Sequence, residues 1–314
     1  MNAEHEAWLN TNIVKKNVEA HRADFASLKK ALDPKDFKTF LAQPQGTRNR
    51  YRDVVCLEAT RVKLKGLEND YIHANYVSTP KSDKRIICTQ GPTDTTCGDF
   101  WTMILQEKSA VIIMLCNFYE KNIKKCAEYF PVAKGQSVTF EKIKVTCTSQ
   151  QDMGLDEAFN VVKLRLSQLV VTRDKNKMEV DHYQWLDWPD RGVPEGDVTA
   201  INLLQKVGNT KYPIVVHCSA GIGRTGSIVM LQYLLDATEL GKPCDKLDQI
   251  LATIRDQRAL SVQNEQQYLY VIRVFLDYLL RKGLVVKDSD GRTPKHITHM
   301  RKFLSEYTAA IDGK

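Results

Sequence analysis

The chain has 314 residues, 43% of them hydrophobic and 26% charged, with a formal net charge of +7. That composition specifies a globular protein with a sizeable core, and no run of about 18 apolar residues supplies a membrane span. The start, Met1 to Glu6, lacks the apolar segment of a signal peptide, and the eight cysteines are scattered without paired spacing. A reducing, cytoplasmic setting follows. The basic residues are dispersed, with no basic stripe carrying interleaved aromatics, so nucleic acid is not an expected partner. The excess charge instead suits acidic or phosphorylated partners.

Residues 1–42 read mostly as helix, with Trp8, Ile13, Val14, Val18, Phe25, Leu28 and Leu32 as a loose apolar face. Asp33-Pro34 opens a further short helix, and Pro44-Gln45-Gly46 breaks it. Short apolar runs between Val54 and Cys88 predict strands, and Asp99–Lys108 a helix. Ala110–Leu115 is continuously apolar, as in a strand covered on both faces. Alternation over 138–148 and 158–172 predicts paired strands, and 180–186 another. Helices are predicted over 198–207, 226–240, 247–257 and 265–281. In the tail, Thr293 reads as an N-cap with Pro294 at the first helical position, and a packed helix follows. No repeat or linker separates two domains. We expect one α/β domain whose twisted, mixed central sheet is flanked by helices. Its parts are a helical extension over 1–24, a catalytic domain over 25–282, and a helical tail over 283–314.

The stretch His217-Cys218-Ser219-Ala220-Gly221-Ile222-Gly223-Arg224-Thr225-Gly226 carries the chemistry. It lies between the buried-strand run Pro213–Val216 and a predicted helix. A tight small-residue turn at a helix N-terminus is an anion cradle, because its N–H groups converge and the helix dipole adds positive potential. A cysteine there is held as a thiolate nucleophile, and an arginine grips phosphate through two parallel hydrogen bonds. Gly221, Gly223 and Gly226 also match a dinucleotide-binding fingerprint. That fingerprint wants a strand ending in an acid about 20 residues on. Asp245 lies near that distance, but its surroundings, Cys244–Leu251, read as helix. His296 and His299 have metal-like spacing without further ligands nearby, so no metal is expected.

The stretch resembles the signature of the tyrosine-specific, cysteine-dependent protein tyrosine phosphatases, H-C-x-x-G-x-x-R-[ST]. Other stretches follow in that family's order: Asn49–Val54, Asp70–Asn75, Thr89–Pro92, Asp99–Trp101, Lys125–Pro131, Trp188–Pro194 and Gln263–Tyr268. The resemblance implies hydrolysis of phosphotyrosine in proteins through a phosphocysteine intermediate, with no cofactor, by a monomer. Cys218 would be the nucleophile. Arg224 and the amides of Ser219, Ala220, Gly221, Ile222 and Gly223 would hold the phosphate. Asp190 would be the general acid, on a mobile loop with Trp188 and Pro189. Gln263 would orient water, and Thr225 would hydrogen-bond the sulfur. Tyr51 would stack on the substrate ring, Asp53 would anchor substrate backbone, and Lys125 and Gln267 would line the pocket. Glu120 would pair with Arg224, and His217 would orient the loop.

Two residues depart from the family pattern: His73 where Asn is usual and Leu260 where Gly is common. Asn264 for the usual Thr is milder. The competing reading, a pseudophosphatase that binds phosphotyrosine without cleaving it, would be marked by loss of the cysteine, arginine or acid. All three are present.

Overall fold

Central to the fold is a nine-stranded sheet whose middle strands run parallel and whose edges are antiparallel. The computed structural model describes residues 3–28, 31–44, 46–153, 163–194 and 198–313. In chain order the elements are α1 (Ala3–Leu9), α2 (Val18–Ser27), α3 (Lys38–Leu41), β1 (Arg61–Lys63), β2 (Tyr71–Thr79), β3 (Ser82–Thr89), α4 (Cys97–Glu107), β4 (Val111–Met114), β5 (Tyr119–Glu120) and β6 (Ile123–Lys124). They continue with β7 (Ser137–Phe140), β8 (Ile143–Asp152), β9 (Leu164–Arg173), β10 (Asn176–Trp185), α5 (Thr199–Val207), β11 (Ile214–His217), α6 (Gly223–Glu239), α7 (Leu247–Arg255), α8 (Glu265–Arg281) and α9 (Ile297–Asp312).

The strand order is β1-β2-β3-β11-β4-β10-β9-β8-β7, with β5 and β6 forming a separate small hairpin. Every residue of β4 and of β11 is buried, as their unbroken apolar runs require for strands covered on both faces. Cys218 therefore leaves the carboxyl end of a central strand and leads directly into α6. Open α/β sheets bind ligands at that place.

Helices close the core. Trp8 is fully buried and packs edge-on to Phe275 of α8, with ring centroids 4.9 Å apart. Met300, Phe303 and Tyr307 bury one face of α9 against α2 and α8. The tail helix thus docks on the domain, and α2 runs continuously across residues 24 and 25.

Several predicted boundaries move. The N-terminal helix breaks into α1, a π-turn over Asn10–Val14, and α2, whose cap is Asn17 accepting from Ala20 N at 2.9 Å. Residues 138–148 are two strands, because Glu141 turns the chain with a φ of 53°. The predicted strand start at 158–162 lies outside the described residues. In the tail, Thr293 and Pro294 do not open α9. Pro294 bridges Lys287, and Thr293 Oγ1 donates to Asp290. This small hairpin delays the helix to Ile297, after His296 in the left-handed region. Similarly, α6 begins at Gly223 rather than Gly226, which puts Arg224 and Thr225 in its first turn.

Candidate active site

The Cys218 loop is held from outside by hydrogen bonds to its carbonyl groups. Arg258, fully buried, donates from Nε to Gly221 O and from Nη2 to Ala220 O, both at 3.0 Å. Gly91 N donates to Ser219 O at 2.9 Å, and Val262 N to Ile222 O at 2.9 Å. With those carbonyls engaged on the far side, Gly221 N–H turns inward and donates to Cys218 Sγ at 3.2 Å. Gly221 has a φ of +70°, and a Cβ there would meet Thr89 O at 2.0 Å. Only glycine fits this turn. Gly226 is equally constrained, since a Cβ would meet Val262 N at 2.3 Å.

His217 is fully buried. Its Nδ1 lies 3.1 Å from Cys218 O and its Nε2 2.7 Å from the hydroxyl of Tyr129. Tyr129 in turn lies 2.6 Å from Nε2 of His182. Burial, then the neighbouring His217, pushes the His182 pKa down to about 3. His217 thus anchors the backbone at Cys218 rather than facing the cleft.

Arg224 is 2% exposed and meets Glu120 through two parallel hydrogen bonds, 2.7 Å and 3.0 Å long. Its Nη1 also donates to Trp188 O at 3.0 Å. Burial disfavours its charge, but Glu120 and the other facing groups outweigh that and hold the guanidinium firmly protonated. Glu120 reaches it from the β5–β6 hairpin. Trp188 fixes the neighbouring loop, because its ring is buried against Trp185 and Tyr270 and its Nε1 donates to Gly192 O at 3.2 Å. Pro189 O accepts from Gly192 N, which closes the turn carrying Asp190.

Asp190 lies over the cleft between two cations. Oδ2 is 2.7 Å from Lys125 Nζ and Oδ1 is 3.3 Å from Arg224 Nη2. Partial burial pushes its pKa up, but the Lys125 hydrogen bond and the charge of Arg224 prevail and hold the carboxyl below the ordinary range. The cleft below is about 100 Å³ and brings together Cys218, Arg224, Asp190, Tyr51, Lys125 and Gln263, with Asp53, Gln267 and the edges of Ser219, Ala220 and Gly223. The Tyr51 hydroxyl is 2.8 Å from Ser219 Oγ, which itself donates to Lys125 O at 2.8 Å. Gln263 N donates to Gln267 Oε1 at 2.9 Å.

Not every expected residue faces the cleft. Ile222 is buried behind the loop, and Thr225 Oγ1 is buried with no hydrogen-bond partner among the described residues. The expected bond from Thr225 to the sulfur is therefore not made here, and the sulfur takes Gly221 N–H instead. Several contributors escaped the sequence reading. Val54 and Arg191 line the cleft, while Arg258, Tyr129 and His182 brace it from within the core. Asn264, a mild departure from the family pattern, caps α8 by accepting from Gln267 N and donates to Arg191 O at 2.7 Å. It ties the glutamine segment to the Asp190 loop.

The profile of the Protein-tyrosine phosphatase family matches residues 45–277. The chain belongs to that family. Mouse tyrosine-protein phosphatase non-receptor type 9 is 35% identical over 260 residues, covering 76% of this chain and 42% of that protein. Human tyrosine-protein phosphatase non-receptor type 4 is 36% identical over 239 residues, covering 73% of this chain and 25% of that protein. The chain thus spans less than half the length of these relatives. A solved structure described as the structural basis of the PTPN18 fingerprint on distinct HER2 tyrosine phosphorylation sites superposes with a TM-score of 0.70 at 26% identity, covering 82% of this chain and 95% of that one. Protein-tyrosine phosphatase membership accounts for the order of motifs around the cleft. No helix among the described residues is long and apolar enough to cross a membrane.

Proposed function

We propose that this chain hydrolyses phosphotyrosine in proteins through a phosphocysteine intermediate. The observation that carries the reading is the convergence of Cys218, Arg224 and Asp190 on one narrow cleft. Cys218 thiolate attacks phosphorus as the bond to the tyrosine oxygen breaks. Loop amides and Arg224 balance the charge on the equatorial oxygens. Asp190 passes its proton to the departing phenolate. In the second step water attacks phosphorus, Gln263 orients it and Asp190 takes its proton. The S–P bond breaks, phosphate leaves and the thiolate returns.

An acid held between Lys125 and Arg224 is a poor proton donor until substrate arrives. A phosphate dianion in the loop draws Arg224 to itself and adds negative charge beside Asp190, so the carboxyl takes up a proton at the point of need. The Tyr51 ring at the wall supports stacking on the substrate phenyl group. Thr225, in the first turn of α6, is the proposed hydroxyl that meets the sulfur during departure, after a side-chain rotation.

The same reading takes a phosphotyrosine-bearing protein as partner and a monomer as the working form. A cytoplasmic location is supported by eight cysteines that are all free and buried. The test is release of phosphate from a phosphotyrosine peptide and from an aryl phosphate by the wild-type chain and by Cys218→Ser. Turnover lost in the variant with peptide binding retained is the expected result. An inactive wild-type chain, or an active variant, overturns the proposal.

A further inference from the structure

At the opposite end of the sheet lies a larger groove of about 870 Å³. Ala110 and Tyr212, which precede β4 and β11, form part of it, whereas Cys218 follows the far end of β11. Six residues of extended chain separate Tyr212 from Cys218, roughly 20 Å. The α4 end and the β9–β10 hairpin complete the walls.

Lys65, Lys108, Arg173 and Lys177 line this groove against a single carboxylate, Asp174. Lys211 stands beside it, its ammonium 5.8 Å from the Tyr212 ring centroid. Among the described residues none of these five cations forms an ion pair. Surfaces ordinarily mix both signs, and like charges gathered in a concave, low-dielectric setting focus their field. The walls are not wholly polar. Tyr212 is 40% exposed, and Leu105 and Met178 are half-buried.

We propose that this groove binds an acidic peptide segment of a protein partner, one that carries apolar side chains among its carboxylates. Charge complementarity supplies the attraction, and the apolar surface of Leu105, Met178 and Tyr212 supplies the seat. The shape disfavours a membrane, because the apolar atoms lie inside a concavity. A single-stranded nucleic acid would draw on open aromatic faces for stacking. The Tyr212 ring already carries Lys108 at 5.6 Å and Lys211 at 5.8 Å. The proposal does not rest on the catalytic reading.

The probe is a fluorescein-labelled, glutamate-rich peptide carrying one leucine and one phenylalanine. Its binding is read by anisotropy, with orthovanadate present to occupy the Cys218 loop. Wild-type protein is expected to bind it, more weakly as salt rises, and not to bind the same peptide with glutamine for glutamate. Lys108→Glu with Lys177→Glu is expected to weaken binding at least about tenfold while aryl phosphate turnover stays unchanged. If that variant fails to fold, Arg173→Gln with Lys177→Gln is expected to weaken binding about threefold. Variant binding within the error of wild type, equal binding of the glutamine peptide, or tighter binding of anionic vesicles or of RNA at the same salt overturns the proposal.

Discussion

His73 Nδ1 lies 3.1 Å from Arg258 Nη1, and the other ring nitrogen, Nε2, lies 2.8 Å from Val54 O. An arginine can only donate, so Nδ1 accepts and Nε2 carries the proton that goes to Val54. One neutral imidazole thereby joins two parts of the pocket. Arg258 holds the carbonyls of Ala220 and Gly221, and Val54 follows the segment bearing Tyr51 and Asp53. The departure from asparagine at this position keeps both a donor and an acceptor.

Burial first, and the charge of Arg258 second, push the His73 pKa down to about 3. The unfolded chain takes up this proton near pH 6.5, while the folded chain stays neutral. The unfolded state therefore binds more protons between pH 6.5 and 3, and stability falls as pH drops through that window. The slope is about 1.4 kcal/mol per pH unit. His182, also pushed to about 3, acts in the same direction. Urea unfolding at pH 7 and pH 5.5 is expected to show a large loss in the wild type and a smaller one in His73→Asn. An equal loss in both proteins refutes the assignment.

The sequence made the Cys218 loop legible because the chemistry proposed for it demands fixed residue types at fixed spacing. Gly221 must be glycine for its φ, Gly226 for its closeness to Val262, and Arg224 must fall in the first helical turn. The continuous apolar runs of β4 and β11 announced buried central strands for a similar reason. The bracing residues left no such trace. Arg258 lies 40 residues after Cys218 and reads as one surface arginine among many until the fold buries it. Tyr129 and His182 meet His217 only through tertiary packing. Thr293-Pro294 is a good helix opening locally, but a hairpin of backbone hydrogen bonds overrides it and α9 starts later, at Ile297.

Glu120 tests whether Arg224 is preorganised. Breaking a buried pair by removing one partner costs about 3–5 kcal/mol when the remaining charge is left uncompensated. Here Trp188 O and Asp190 still accept from Arg224, so Glu120→Ala is expected to fall toward the lower end of that range. Its kcat/KM on a phosphopeptide is expected to drop at least about tenfold, since the guanidinium no longer waits in position. Thermal unfolding and steady-state kinetics measure both quantities. Unchanged values for both show that the pair is ornamental.

Gly221→Ala places a methyl group where Thr89 O sits, at a φ that side chains rarely adopt. The loop must open, and Gly221 N–H loses its aim at Cys218 Sγ. Loss of phosphate affinity is expected along with turnover, in contrast to Cys218→Ser, which leaves the cradle whole. Isothermal titration with inorganic phosphate, which the loop holds without a bond to sulfur, separates the two. Wild-type phosphate affinity in Gly221→Ala contradicts the role given to this turn.

Asp190 is tested through the leaving group. A tyrosine phenolate has a conjugate acid of pKa near 10, so its departure depends on a proton donor, whereas a much more acidic phenol leaves unaided. Asp190→Ala is expected to slow phosphocysteine formation from a phosphotyrosine peptide by about 10²–10⁴, the range of a general acid, and distinctly less from an activated aryl phosphate. Lys125→Ala provides the complementary measurement. Its ammonium helps hold the Asp190 carboxyl below the ordinary range, so removing it raises that pKa. A general acid works only while protonated, and the basic limb that Asp190 sets in the peptide pH profile should therefore move to higher pH. Rapid mixing with both substrates times the chemical step in wild type and both variants. Equal slowing of the two substrates by Asp190→Ala would remove the proton-donor role, leaving the carboxylate only its ion pairs with Lys125 and Arg224.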